Sequence, residues 1–135
     1  MNDQWVAQPG ATLLIPSGPT GQHLFVIVLG PQQFSDLGNL SQFIQVSVTT
    51  IYPGIPYDQS CILNPGEHPF ITHPSYVTYR HARIDNDVHL NKMVKSGVWK
   101  PHHYCDTATI QKIIDGLCKS KLVRQEIRIM MGCGA

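Results

Sequence analysis

The stretch His23-Leu24-Phe25-Val26-Ile27-Val28-Leu29 decides the fold. It is almost continuously apolar, β-branched and aromatic, which is typical of a buried central strand. Gly30-Pro31 then predicts its end. Upstream, Thr12-Leu13-Leu14-Ile15 predicts a short strand, separated from the first by a Gly- and Pro-rich turn. Downstream, residues 32–42 are polar and predict a loop.

Further strands are predicted after this loop. In residues 43–52 apolar and polar residues alternate, which predicts a strand with one face in solvent. Shorter β patterns follow at residues 61–63, 69–71 and 75–79, separated by turn residues. Several short strands at this spacing favour a small barrel or sandwich over a parallel α/β sheet.

The pattern changes to helical after about residue 105. Asp106 or Thr107 can cap a helix whose apolar positions recur at helical spacing: Ile110, Ile113, Ile114, Leu117 and Cys118. Ser120 can cap a second helix, although Ile127, Ile129 and Met131 also alternate as in a strand. We favour the helix and expect residues 132–135 to be a frayed tail. The expected protein is mainly β with a helical part, a single domain over residues 1–135, with the barrel at about 10–84 and the helices at about 105–131.

Composition excludes several classes of protein. Hydrophobic residues make up 42% and charged residues 14% of the 135 residues, which suits a packed core rather than disorder. No uncharged apolar run reaches the roughly 18 residues that a membrane span needs. We therefore expect no membrane partner and a cytoplasmic location, where the four cysteines would be free thiols.

Charge divides the chain into two parts. Residues 1–79 contain four acidic residues and no Lys or Arg, which gives a charge of −4. Residues 80–135 contain all ten cations and five acidic residues, which gives +5. An anionic ligand is therefore expected to contact mainly the second part. Alternatively, the first strands are packed on both faces or face a partner.

Residues 67–83 form the densest polar cluster and contain three of the seven histidines. Histidine exchanges protons near neutral pH, and arginine binds phosphate through a bidentate fork. These groups suit cleavage of an RNA backbone, which needs a base, an acid and a cation. In the alternative, His68 and His73 serve loop geometry, and Arg80 and Arg83 lie on a solvated strand face.

Metal and cofactor sites are not predicted. His102-His103-Tyr104-Cys105, or Cys61 with the histidines of the cluster, could supply zinc ligands, but no recognised zinc-ligand spacing is present. Glycine-rich phosphate loops and nucleophile elbows are also missing from the sequence. We therefore expect no cofactor.

Three segments resemble the PemK/MazF-type toxins. Gly21 to Pro31 resembles the central strand of that family, and Val46-Ser47-Val48-Thr49-Thr50 resembles its next strand, which ends in a functional Ser or Thr. Ser75-Tyr76-Val77 with Tyr79 to Ile84 resembles a later strand that leads to a final helical region. The resemblance implies a small antiparallel SH3-like barrel with one or two C-terminal helices.

The resemblance also implies a function. Most members of that family are dimeric endoribonucleases silenced by an antitoxin, and a sister branch binds DNA gyrase. A toxin-like, metal-independent endoribonuclease acting on single-stranded RNA, a homodimer with an antitoxin partner, is therefore expected here. The catalytic candidates are His23, Thr49, Thr50 and His81, and the substrate-binding candidates are Arg80, Arg83, His68, His73 and Ser75.

One departure leaves an alternative open. The nucleases of that family carry an arginine just before the central strand, where this chain has Gln22 and His23. Either His23 takes over that role or the chain is a non-catalytic barrel that binds a protein partner, such as an essential enzyme. The absence of cations from residues 1–79 favours the second reading, because nucleic-acid clefts usually carry a basic stripe.

Overall fold

A computed structural model describes residues 5–19 and 21–134, so that residues 1–4, Thr20 and Ala135 lie outside the description. Six strands form one sheet in the order β4-β5-β3-β2-β1-β6, and the pairings between described strands are antiparallel. The strands are β1 (Thr12–Pro16), β2 (Gln22–Gln32), β3 (Gln42–Thr50), β4 (Ile62–Leu63), β5 (Ser75–Asn86) and β6 (Lys100–His102). The helices are α1 (Asp87–Lys95), α2 (Thr107–Lys119) and α3 (Gln125–Met130).

The sheet curls into half a barrel and carries the helices, which confirms the expected class of a mainly β fold with C-terminal helices. Because of the curl, the loop between β4 and β5 reaches β6 from the opposite edge of the sheet. The ring of His68 in this loop lies 5.0 Å from the ring of His102 in β6.

The predicted central strand is β2, which pairs with β1 and β3. Its predicted end at Gly30 is wrong, because the strand continues to Gln32. Register shifts between Ile27 and Gln32 let the strand pass the Gly-Pro step. Gly30 has a φ of 115°, and a side chain there would collide with the backbone of Gln42.

Both faces of the central strands are covered, so the prediction of a solvated face on residues 43–52 is wrong. One face packs Leu24, Val26 and Ile44 against α2 and α3 in the larger core. The other face packs Phe25, Ile27 and Phe43 with Leu90 of α1 and with Trp99. Gln45 and Ser47 on this second face are therefore buried, at 0% and 6% exposure.

The elements between residues 86 and 103 had no sequence prediction. Asn86 caps α1 by accepting a hydrogen bond from the backbone N–H of His89 at 2.8 Å. Leu90 alone is buried in this fully described nine-residue helix, and the apolar stripe of the helix is correspondingly weak. Strand β6 spans three residues including Pro101, too short for a detectable alternation.

The C-terminal helices agree with the sequence prediction in most respects. Asp106 caps α2 by accepting from the backbone N–H of Thr109 at 2.8 Å. α3 is a helix rather than a strand, but its N-cap is Arg124. Ser120, predicted as that cap, instead ends α2 and donates a hydrogen bond to Asp58 at 2.6 Å.

The cysteines differ from the expectation of four free thiols. Cys118 and Cys133 form a disulfide, whereas Cys61 and Cys105 are free. Arg128 also donates to the carbonyl oxygen of Gly134, so the predicted frayed tail is held in place as far as it is described. Ala135 lies outside the described residues. None of the described helices is long and apolar enough to cross a membrane.

Candidate functional site

A pocket of about 300 Å³ lies beside β5, between the loop of residues 51–60 and the segment after α2. The rings of Tyr57 and Tyr76 stand 5.3 Å apart at an angle of 35° and form its aromatic side. We call it the tyrosine pocket, and its lining includes Tyr57, Tyr76, Thr78, Arg80, His81 and Leu122.

A bulge in β5 brings Arg80 and His81 to this pocket. Gln45 of β3 pairs with Arg83, and Ser47 pairs with Thr78, so two steps along β3 oppose five along β5. The extra residues leave the ladder, and Arg80 and His81 are exposed. Bulges commonly re-aim side chains next to functional sites. The hydroxyl groups of Thr49 and Thr78 hydrogen-bond at 2.6 Å, which places Thr49 next to a residue that lines the pocket.

The loop that carries Tyr57 is fastened by Asp58. One carboxylate oxygen accepts from the backbone N–H and the hydroxyl of Ser60, at 2.9 and 2.6 Å, and the other accepts from Ser120. Burial by itself would raise the pKa of Asp58, but these hydrogen bonds outweigh it and lower the pKa below its usual value. Asp58 is therefore ionised at neutral pH, and both of its oxygens are already bound within the protein.

A second cavity, of about 580 Å³, opens at the mouth of the curled sheet. It contains three of the predicted site residues, Thr50, His73 and Ser75, and extends to His102 on β6. We call it the histidine cavity, and its lining includes Gln22, Val48, Thr50, Phe70, Ile71, His73 and His102. Ser75 is nearly buried, and its hydroxyl donates to the carbonyl oxygen of His73 at 2.8 Å.

His68 organises the loop below this cavity. Its Nδ1 accepts from the backbone N–H of Phe70 at 3.0 Å, so the proton of the neutral ring is on Nε2. Nε2 then donates to the carbonyl oxygen of His103 at 2.7 Å. The ring is 2% exposed, and desolvation lowers its pKa, with smaller contributions from the neighbouring histidines. Both ring nitrogens of His68 are therefore bonded to the backbone and hold the loop, in agreement with the alternative that this histidine serves loop geometry.

His102 is the residue of this region that sequence reasoning considered only for zinc. Its Nδ1 accepts from the backbone N–H of His103 at 2.8 Å, which leaves the ring proton on Nε2. Desolvation, followed by the charge of His103, lowers the pKa of His102. His102 is therefore a neutral hydrogen-bond donor at neutral pH.

His23 and Arg83 line neither of these cavities. His23 of β2 hydrogen-bonds through Nδ1 to the hydroxyl of Ser17 at 2.7 Å. Arg83 lies on the face that α1 covers, where its Nε is 3.2 Å from a carboxylate oxygen of Asp85. Its guanidinium lies 5.0 Å from the ring centroid of Trp99. Arg83 is thus a packed ion-pair residue rather than a free phosphate contact.

The predicted site residues consequently do not share one groove. Arg80 and His81 line the tyrosine pocket, and Thr49 is bonded to Thr78 of that lining. Thr50, His73 and Ser75 instead lie at the histidine cavity. Sequence reasoning missed Tyr57 and considered His102 only as a zinc ligand. Tyr57 follows a Pro-Gly-Ile-Pro turn that signals only a loop. Within residues 5–19 and 21–134, no group of three or more His, Cys, Asp or Glu is arranged to hold a metal ion.

No family model, curated protein or solved structure matches the chain.

Proposed function

We propose that this chain is a toxin-like endoribonuclease that binds single-stranded RNA in the tyrosine pocket and cuts it without a metal ion. The observation that carries the proposal is the pair of tilted tyrosine rings, 5.3 Å apart, in the same pocket as Arg80 and His81. Together they offer an aromatic surface, a permanent cation and an imidazole that can accept a proton.

The binding step uses the tyrosines and Arg80. Stacking of one base on an aromatic side chain contributes about 1–3 kcal/mol and tolerates any base. Arg80 is exposed beside the rings and would bind the adjacent phosphate through its fork of donors. The volume of about 300 Å³ is at the small end of ligand sites, which suits a single nucleotide. Single strands are preferred because their bases can be splayed out.

The chemical step uses the 2′-hydroxyl of the bound nucleotide. Its oxygen attacks phosphorus and forms the P–O2′ bond, while His81 accepts its proton. The P–O5′ bond breaks, and the departing 5′-oxygen takes a proton from water. The products are a 2′,3′-cyclic phosphate and a 5′-hydroxyl end. Arg80 stabilises the extra negative charge on the phosphoryl oxygens in the transition state.

The remaining parts of the proposal follow from the resemblance to PemK/MazF-type toxins. They are a homodimer, an antitoxin protein that occupies the same pocket, and action in the cytoplasm. A reducing cytoplasm favours the open form of a disulfide, whereas Cys118 and Cys133 are paired here. The state of these two thiols in cells therefore tests the location independently of the activity.

The test is incubation of purified protein with a long single-stranded RNA in EDTA. We expect cleavage by the wild type, loss of cleavage with His81→Gln, and unchanged cleavage with the matched control His73→Gln. His73 is an exposed histidine that lies at the other cavity. Intact RNA at high wild-type concentration, or equal cleavage by both variants, contradicts the nuclease proposal.

A second candidate is the non-catalytic barrel that binds a protein partner. Two exposed apolar side chains in the loop that leads to Tyr57, and one that lines the tyrosine pocket, offer apolar surface on which a partner could dock. Tyr52 is 59%, Ile55 61% and Leu122 48% exposed. Retention of a protein partner at high salt, without detectable RNA binding and lost with Ile55→Ser, favours this candidate over the nuclease.

A further inference from the structure

The histidine cavity occupies a position where barrels commonly bind small ligands, the mouth of the sheet. Its volume of about 580 Å³ lies within the range of about 300–1,000 Å³ that is typical of small-molecule sites. This cavity shares no lining residue with the tyrosine pocket, and the chemistry of its lining determines which ligand it can bind.

One wall of the cavity is apolar. Val48 is 7% exposed and connects the cavity to the larger core, and Ile71 is 5% exposed. Phe70 is 40% exposed and meets the ring of His102 edge-on at 6.0 Å. This wall can cover the apolar body of a ligand and remove it from water.

The rest of the lining supplies hydrogen-bond donors. The Nε2–H of His102 is a donor, because its Nδ1 is occupied by the backbone N–H of His103. Thr50 and Gln22 add a hydroxyl and an amide. Among the described residues that line the cavity, none is Asp, Glu, Lys or Arg. Such a lining suits oxygen acceptors and contains no carboxylate to attract a cation.

The charges around His102 decide between neutral and anionic ligands. Its ring faces the rings of His68 at 5.0 Å and His103 at 5.1 Å, together with Phe70. The nearby carboxylate of Glu67 is held by Lys112 at 3.0 Å. Burial and the charge of His103 lower the pKa of His102, and the described residues that line the cavity include no carboxylate to support protonation of its ring. An anionic ligand would supply that missing negative charge.

We propose that the histidine cavity binds a small organic anion, with its oxyanion head on His102, His73 and Thr50 and its apolar body against Val48, Ile71 and Phe70. A carboxylate and a phosphate monoester share this chemistry. Binding of the anion stabilises protonated imidazole, so affinity rises as the pH falls through the histidine range.

The test is calorimetric titration of the full chain with octanoate and octyl phosphate. Octanol and octylamine are the comparison ligands, because they carry an alkyl chain of the same length with a neutral or a cationic head. We expect octanoate to bind more tightly at about pH 5.5 than at about pH 7.5. Octyl phosphate changes its own charge over this range, so the two anions are compared with each other at one pH. Octanol should bind at least about tenfold more weakly, because its neutral head cannot form the charge-assisted hydrogen bonds of an anionic head. The more tightly bound anion identifies the head group.

Two variants locate the site. His102→Gln keeps a donor but cannot be protonated, and should reduce the pH dependence of octanoate binding. Phe70→Ala should weaken octanoate and octanol alike. His81→Gln, in the tyrosine pocket, should change neither, which separates this proposal from the RNA proposal. Equal binding of octanoate and octylamine, no binding of either anion, or octanoate binding that His102→Gln leaves unchanged overturns the proposal.

Discussion

The tyrosine pocket and the histidine cavity use their polar groups in opposite ways. In the tyrosine pocket the carboxylate of Asp58 accepts hydrogen bonds from two serines, whereas Arg80 and His81 are exposed on a bulge. At the histidine cavity, the imidazole of His102 is bound to the backbone N–H of His103. Below the cavity, the imidazole of His68 is bound to the backbone of Phe70 and of His103. The first pocket therefore presents a permanent cation, and the second presents groups that become charged only on protonation.

This difference teaches that a count of histidines does not identify an acid–base site. His68 and His73 lie in the dense polar cluster together with His81. Yet His68 is 2% exposed and holds a loop, whereas His81 is exposed beside a cation. What separates these residues is the bulge in β5, which directs a short part of the cluster out of the sheet.

The largest expected effect on stability concerns the disulfide that closes the segment containing Leu122 of the tyrosine pocket. The disulfide closes a loop with a separation of 15 residues that includes Leu122, which lines that pocket. Replacing both Cys118 and Cys133 with serine should lower the free energy of unfolding by about 3 kcal/mol, from the entropy of the closed loop. Urea denaturation measures this change, and a reducing agent should produce the same loss in the wild type. An unchanged denaturation midpoint contradicts it.

The next effect distinguishes the two cavities in RNA binding. Arg80→Gln removes the cation of the tyrosine pocket and should weaken RNA binding by about tenfold or more, since a charge-assisted contact contributes about 1.5–3 kcal/mol. It should also reduce the salt dependence of binding by about one phosphate contact. Fluorescence anisotropy at several salt concentrations measures both. Lys112→Gln, a cation paired with Glu67 away from the pocket, is the control and should have a smaller effect.

A third prediction concerns the buried His68. His68→Leu leaves the N–H of Phe70 and the carbonyl of His103 without this partner, and should cost about 1–3 kcal/mol of stability at neutral pH. The folded pKa of His68 is below its usual 6.5, so the unfolded chain binds the proton more readily. Stability from the neutral ring is complete above pH 6.5 and is lost as the pH falls towards the folded pKa.

The variant should therefore be closest to the wild type in acid. Thermal unfolding across that pH range tests the sign. The exposed His73→Leu is the matched control and should change stability little. A gap between His68→Leu and wild type that widens in acid contradicts the assignment of a neutral buried ring.

The smallest effect concerns Asp58. Asp58→Asn should lower stability by about 1 kcal/mol at neutral pH, because a neutral amide accepts more weakly from Ser60 and Ser120. The folded pKa is depressed below the usual 3.8, so the stabilisation is present above pH 3.8 and is lost as the pH falls through the folded pKa. Chemical denaturation at neutral and acidic pH measures the difference. A gap that persists unchanged in strong acid contradicts this account.

Periodicity in the sequence predicts the elements whose burial is one-sided or continuous. β2 and α2 are such elements, because apolar side chains occupy a whole strand or one helix face. α1 is missed because Leu90 alone is buried in this fully described helix, so no apolar stripe stands out in its sequence. Gln45 and Ser47 are assigned to a solvated face because α1 and Trp99, which cover that face, lie far away in the sequence. Coverage by a distant element leaves no local signal.

The candidate site was predicted only in pieces for a related reason. Arg80 and His81 could be identified from residue type, but the bulge that exposes them arises from a mismatch between β3 and β5. Tyr57 meets Tyr76 because the loop of residues 51–60 folds back and is fastened to α2 through Asp58 and Ser120. Such a tertiary contact between residues 62 positions apart cannot be deduced from spacing.

Amide chemical-shift mapping with a short single-stranded RNA tests the central claim most directly. The account predicts that the shifts concentrate at Tyr57 and along residues 76–81, with little change at Phe70, His73 and His102. Shifts that cluster around the histidine cavity instead, or no shifts at saturating RNA, would contradict the assignment of the tyrosine pocket as the RNA site.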